Sequence, residues 1–315
     1  MASKFTALFS RKSPGGVFTI QDLEAHPGTI RFVDSSHANA ANSVGSGHNP
    51  DQPFSTLAYV FANASSLTPA LAAGDVIYVM PGQTETIAAA AGIACATAGV
   101  KVIGLGWGAS RPTFTWSATD STWTITAASV SIKNIRVISS VNELVTMFSV
   151  SAANVTLDAI DVIDAGAAKE ILQFLLTTNA ADYLTLKNSK HYVSTAGASA
   201  QKWIALVGTD RPTIVDCTFV LKLNDAATSS VINMDSAVTM AELGRLRIHL
   251  TGYSASMLSA ILAHASATGI HYDSRIYADV VAVTSINDFA GGASFEVYCS
   301  NDLDKNGILD PVVGS

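Results

Sequence analysis

The sequence predicts an all-β chain folded as a right-handed parallel β-helix, a solenoid closed at its N-terminal end by a capping helix. Three observations predict it. A six-residue phrase recurs at a nearly fixed interval, its third position is rich in Gly, Asn and Asp, and a second apolar phrase precedes most copies. The phrase is clearest as Ile132-Lys133-Asn134-Ile135-Arg136-Val137, and further copies start at Val102, Leu157, Leu186, Ile214, Leu243 and Tyr272. Counted from 102, successive starts differ by 30, 25, 29, 28, 29 and 29 residues.

Each position of the phrase has its own chemistry. The first is apolar or aromatic throughout, from Val102 to Tyr272. The fourth is Leu105, Ile135, Ile160, Ser189, Cys217, Leu246 and Arg275, and the sixth is Trp107, Val137, Val162, His191, Phe219, Ile248 and Tyr277. A straight strand cannot bury its first and fourth positions together, because side chains alternate faces. A bend at the third position resolves the conflict. That position holds Gly104, Asn134, Ala159, Asn188, Asp216, Arg245 and Ser274, and Gly, Asn and Asp best tolerate a left-handed corner. The preceding phrases, such as Thr122-Trp123-Thr124-Ile125, Trp203-Ile204-Ala205-Leu206 and Val231-Ile232-Asn233-Met234, supply a third strand per coil. Coils stacked about 4.8 Å apart then bury one another's apolar columns. An antiparallel sandwich would show Asn-Gly or Asp-Gly hairpin turns, and the repeat region has none.

Residues 1–28 fall outside the repeat. Lys4, Phe5, Phe9, Arg11 and Lys12 precede the break Ser13-Pro14-Gly15-Gly16 and read as an arm, disordered or ordering on a partner as an anchor. Residues 29–74 hold a strand from Thr29 to Asp34, a polar loop to Pro50 and a helix from Ser55 to Ala64. Pro53 precedes that helix, Ser55 is its expected cap, and Leu57, Val60 and Phe61 lie on one face. A helix there would cover the open end of the solenoid, which is otherwise an aggregation template. The solenoid proper is expected over 75–286, starting with the strand Asp75-Val76-Ile77-Tyr78-Val79, and 287–315 as a C-terminal cap or docking segment.

Composition narrows the function. Charged residues make up only 14% of the chain, which suggests outward faces buried in an oligomer. A net charge of -7 argues against nucleic acid as the main partner. The longest uncharged apolar region, Ile87 to Val100, is too short and Gly-interrupted for a membrane span, and Phe5 to Phe9 is too brief for a secretory core. Cys95, Cys217 and Cys299 are odd in number and far apart, and read as reduced core residues.

The run Phe32-Val33-Asp34, Pro53-Phe54-Ser55-Thr56-Leu57, Gly74 to Gly82 and Val102-Ile103-Gly104-Leu105-Gly106 resembles the opening of pectate-lyase-like β-helix proteins. More narrowly, Met80-Pro81-Gly82-Gln83-Thr84-Glu85-Thr86-Ile87 with Gly92-Ile93-Ala94-Cys95 and Ile103 to Gly108 is similar to proteins of tailed bacteriophages. The resemblance implies a virion-associated β-helix, usually a trimer. It carries over no catalytic residue.

The search for chemistry gives few candidates. Hydrolysis of a glycoside needs two placed carboxylates. The outward fifth position, Arg136, Asp161, Lys190, Thr218 and Arg247, instead reads as a ladder of alternating sign. Asp158, Asp161 and Asp164 cluster, but the next copy offers Lys187, Lys190 and His191 rather than a second acidic set. The seven histidines show no metal-ligand spacing, and His191 reads as a core residue. Gly104-Leu105-Gly106-Trp107-Gly108 lacks the following helix a dinucleotide loop needs. Asp302, Asp304, Asn306 and Asp310, with Gly307 at the sixth position, match the first part of an EF-hand calcium loop, and Val313 replaces the closing Glu. The expectation is therefore a non-enzymatic virion structural protein: a homotrimer decorating the capsid surface, anchored to other virion proteins by its arm, with no required cofactor and Ca2+ as the one candidate. The alternatives are a tail spike or fibre that binds or cleaves host polysaccharide, and a secreted carbohydrate-active enzyme.

Overall fold

The computed structural model describes residues 12–13, 16–17, 28–166, 169–192, 202–222, 230–250, 260–278, 287–289 and 294–298. The chain is a parallel β-helix. Among the described residues its three sheets have ten, eight and eight strands. One coil shows the plan: Ser131–Lys133 lies in the first sheet, Arg136–Ser139 in the second and Phe148–Val150 in the third. Each pairs in parallel with the equivalent strands one coil before and one coil after.

The corner between the first and second sheets is the expected left-handed one. Asn134 has φ 58°, and its Nδ2 donates to the carbonyls of Gly104 at 2.8 Å and Gly106 at 2.9 Å. Ala159, Asn188, Asp216, Arg245 and Asp273 repeat the corner with φ between 49° and 57°. A second left-handed corner joins the third sheet to the first. It recurs at Gly74, Gly99, Ser129, Asn154, Tyr183, Arg211 and Met240, each amide donating to a carbonyl of the following coil up to Arg211.

Between the corners, side chains stack by column. Ile132, Leu157, Leu186, Ile214 and Leu243 are fully buried one above another. An aromatic column runs beside them, with ring centroids 5.5 Å apart for Trp123 and Phe148, 5.6 Å for Phe148 and Phe174, and 5.3 Å for Phe174 and Trp203. Each such buried side chain contributes about 1.5–3 kcal/mol, so the columns supply the main driving force of the fold. His191 joins this core, 4.5 Å from the ring of Trp203, and Cys95 and Cys217 are buried, with both thiols pushed up to about 12 by desolvation.

Two copies of the phrase sit differently from the sequence expectation. In the earliest, the strand Lys101–Gly104 is separated from Thr113–Trp116 by an inserted loop, so Pro112 and Phe114 take the inward places assigned to Leu105 and Trp107. Trp107 is 85% exposed. In the last, Leu243 pairs with His271 rather than Tyr272, which shifts that copy by one residue. Asp273, not Ser274, is the corner, and Ile276, not Tyr277, is buried.

The N-terminal end is closed by the helix Leu57–Ala62, shorter than expected and capped by Thr56 rather than Ser55. Thr56 Oγ1 accepts from the Tyr59 amide, and Leu57, Val60 and Phe61 are buried on the core. Glu85 ties the helix to the first coil: its carboxylate accepts from the amides of Leu57 at 2.6 Å and Ala58 at 2.8 Å. Burial raises the Glu85 carboxyl above its ordinary range, opposed by those two hydrogen bonds.

Candidate ligand-binding face on the second sheet

The outward face of the second sheet carries a row of charged and polar side chains that runs from coil to coil. Parallel register places Arg136, Asp161, Lys190, Thr218, Arg247 and Arg275 in one row, each opposite the next. The ladder expected from the sequence is there, but its two ends differ.

At the N-terminal end the row is neutralised from within. Asp161 is 6% exposed and receives Arg136 at 3.2 Å, Arg111 at 3.4 Å and Lys190 at 3.7 Å. Asp158, on the neighbouring first sheet, is held by Lys133 at 3.5 Å, Lys187 at 4.0 Å and the Asn188 side chain at 2.7 Å. These carboxylates are occupied as counterions, which leaves them poorly placed to act as general acid or base.

Past Thr218 the pattern breaks. Arg247 and Arg275 stand side by side in register, and among the described residues no carboxylate lies within ion-pair distance of either. Like charges directly opposite on neighbouring strands are destabilising. The nearby acids do not relieve them. Asp216 is taken by Arg245 in a two-pronged pair at 2.6 and 2.7 Å, which holds the Asp216 carboxyl below its usual range. Tyr272 completes that group, its hydroxyl donating to Glu242 at 2.7 Å and accepting from Arg245 at 3.1 Å.

The two arginines line a groove of about 400 Å³ with Asp216, Thr218, Arg245 and Asp273. An adjoining groove is lined by Val220, Ile248, His249 and Tyr277 beside the same arginines. Residues two apart on one strand share a face, so Arg247 and His249 project together, opposite Arg275 and Tyr277. The His249 and Tyr277 rings meet edge to face at 4.7 Å, and the buried His249 Nε2 has no hydrogen-bond partner. The result is a cationic, aromatic-edged cleft whose donors exceed its acceptors. Guanidinium forks there can receive a carboxylate or sulfate in two-pronged fashion.

The sequence placed Arg247 in this row but missed Arg275 and Tyr277, because the last copy was read one residue late. The third position held the signal: starting at His271 puts Asp273, a good corner residue, where Ser274 otherwise falls. Of the arm, Lys4, Phe5, Phe9 and Arg11 lie outside the described residues, and Lys12 belongs to a short antiparallel pair, Lys12–Ser13 with Gly16–Val17. Asp302, Asp304, Asn306 and Asp310 also lie outside them. Among the described residues no group of three or more His, Cys, Asp or Glu is placed to hold a metal ion.

Comparison with solved structures bears on the fold. Pectate lyase Pel9A aligns over 89% of this chain and 79% of its own, at 14% identity and a TM-score of 0.50. The fold is that of a pectate-lyase-like β-helix. A rhamnogalacturonan lyase aligns over 90% of both chains, at 13% identity and a TM-score of 0.43. No protein-family model and no curated sequence matches the chain. The expectation of a non-enzymatic chain is corrected by Pel9A. It rested on the missing second acidic cluster, and this neighbour on the same architecture is a pectate lyase. At such identity the likeness shows the architecture alone and assigns no activity to this chain.

Proposed function

We propose that this pectate-lyase-like β-helix binds an acidic polysaccharide along the outward face of its second sheet. The carrying observation is the pair Arg247 and Arg275, facing each other in register at a groove whose carboxylates, Asp216 and Asp273, form no ion pair with either among the described residues. His249 and Tyr277 extend the cleft with an aromatic edge. We further propose that the protein works as a homotrimer on a bacteriophage virion, where the polysaccharide is that of the host surface. This setting draws on the resemblance carried by residues 80–87, 92–95 and 103–108.

The test is calorimetric titration of the full chain with polygalacturonate, with dextran as the neutral control, at low and moderate salt. Ultraviolet absorbance of unsaturated ends reports any cleavage in the same samples. Binding of the acidic chain only, weakening with salt and falling at least tenfold in R247Q and R275Q, is the expected result. Equal binding of dextran, or unchanged binding by both variants, would sink the reading.

A second reading, capsid decoration with residues 1–28 as anchor, is favoured by one observation. Trp107, 85% exposed, is presented near the N-terminal end of the solenoid by a loop that Asn134 pins through Gly104 and Gly106. A rigidly held exposed Trp suits a protein interface.

A further inference from the structure

The second left-handed corner changes character along the solenoid. Its first four positions are Gly74, Gly99, Ser129 and Asn154, and the next three are Tyr183, Arg211 and Met240, with φ of 57°, 51° and 51°. Glycine and Asn accept this conformation cheaply, whereas a bulky side chain there is strained by about 1 kcal/mol or more. The backbone is the same in both halves, so it does not ask for Tyr, Arg or Met. Their side chains do not contribute a buried core either: Tyr183 is 44% and Met240 61% exposed.

They are nevertheless ordered among themselves. The Arg211 guanidinium lies 5.3 Å from the Tyr183 ring centroid, donates to the Tyr183 hydroxyl, and sends Nε to Met240 Sδ at 3.3 Å. Among the described residues its ion-pair partner is Asp210, at 3.8 Å. Three successive coils thus present a continuous ridge of the residue types enriched in protein interfaces, held straight by the corner ladder Tyr183 to Asp210 and Arg211 to Thr239.

We propose that this ridge is the self-association surface of the protein, and that its occupant is a second copy of the chain. Two features favour a copy over another partner. The knobs repeat at the coil spacing of about 4.8 Å, so the matching surface must carry the same repeat, as another coil stack does. The chain is also only 14% charged, against about 25% for an ordinary soluble protein, a composition that suits outward faces buried between copies. The inference rests on the oligomeric part of the proposed function and is independent of the ligand on the second sheet.

The test is sedimentation equilibrium of the full chain and of the double variant Tyr183→Asn with Met240→Asn, alongside thermal melts. Because Asn suits the corner better than Tyr or Met, the variant should melt at the same temperature or higher when dilute, while its dissociation constant rises at least tenfold. Tyr183→Gly with Met240→Gly, equally at ease at positive φ, should behave alike and covers the case of a poorly folding Asn variant. A wild-type chain that stays monomeric would overturn both the ridge and the oligomer. An oligomer whose dissociation constant neither pair changes would overturn the ridge alone.

Discussion

Asp161 and the Arg247–Arg275 pair occupy one ladder on one sheet, and they show two ways of managing the same charge. Around Asp161 three cations converge on a nearly buried carboxylate, so the ladder is closed to outside anions. Three coils later Arg247 faces Arg275, with Thr218 next to Arg247 on the side where an acid could have stood. Since the backbone register is equivalent at both places, the difference lies in side chains alone. One end of the face is neutralised from within, and the other keeps two unmatched arginines, where the proposed ligand's negative charge would sit.

The comparison can be broken first at Asp161. Asp161→Ala strands Arg111, Arg136 and Lys190 and should cost about 3 kcal/mol, whereas Arg247→Gln should stay within about 0.5 kcal/mol of the parent. Denaturant melts of the two variants check this, and equal losses would mean that both ends are structural. A second contrast lies under the first sheet. His271 fills the inward column that leucine fills in the coil before, and burial lowers its pKa from 6.5 to about 4. A depressed folded pKa means that the unfolded chain binds the proton first. Stability is therefore whole above pH 6.5 and declines toward pH 4, by about 2–3 kcal/mol from this group. His271→Leu should flatten that part of a pH series of melts; an unchanged slope would place the acid sensitivity elsewhere. Smaller again, Asn134→Val forces a β-branched residue into a corner at φ 58° and removes two side-chain hydrogen bonds. It should cost about 1–2 kcal/mol by thermal melt, and no loss would refute the corner's role.

Much of this was legible in the sequence because the repeat is physical. Inward columns must be apolar and left-handed corners favour Gly, Asn and Asp, so the phrase around Ile132 reads directly as strand, corner and strand. Legibility failed where those rules were relaxed. The loop ahead of Thr113 split one copy, hiding Phe114 behind Trp107, and an aromatic Tyr272 beside a buried His271 invited a shift by one residue. That shift concealed Arg275 and with it the unmatched pair. The second corner is not legible as a column, because Gly74, Gly99 and Asn154 signal positive φ in its first half whereas Tyr183, Arg211 and Met240 carry no such signal in its second.

The smallest change in stability gives the sharpest test of the central claim. Thr218→Asp would set a carboxylate between Lys190 and Arg247, as Asp161 sits between Arg136 and Lys190. Its stability gain should be only about 0.5 kcal/mol. Titrated with polygalacturonate at low salt, the variant should bind at least about tenfold more weakly than the parent, a loss of about 1.4 kcal/mol. Parent-like affinity in a folded Thr218→Asp protein would contradict the claim that the open charge of Arg247 and Arg275 is what the second sheet offers its ligand.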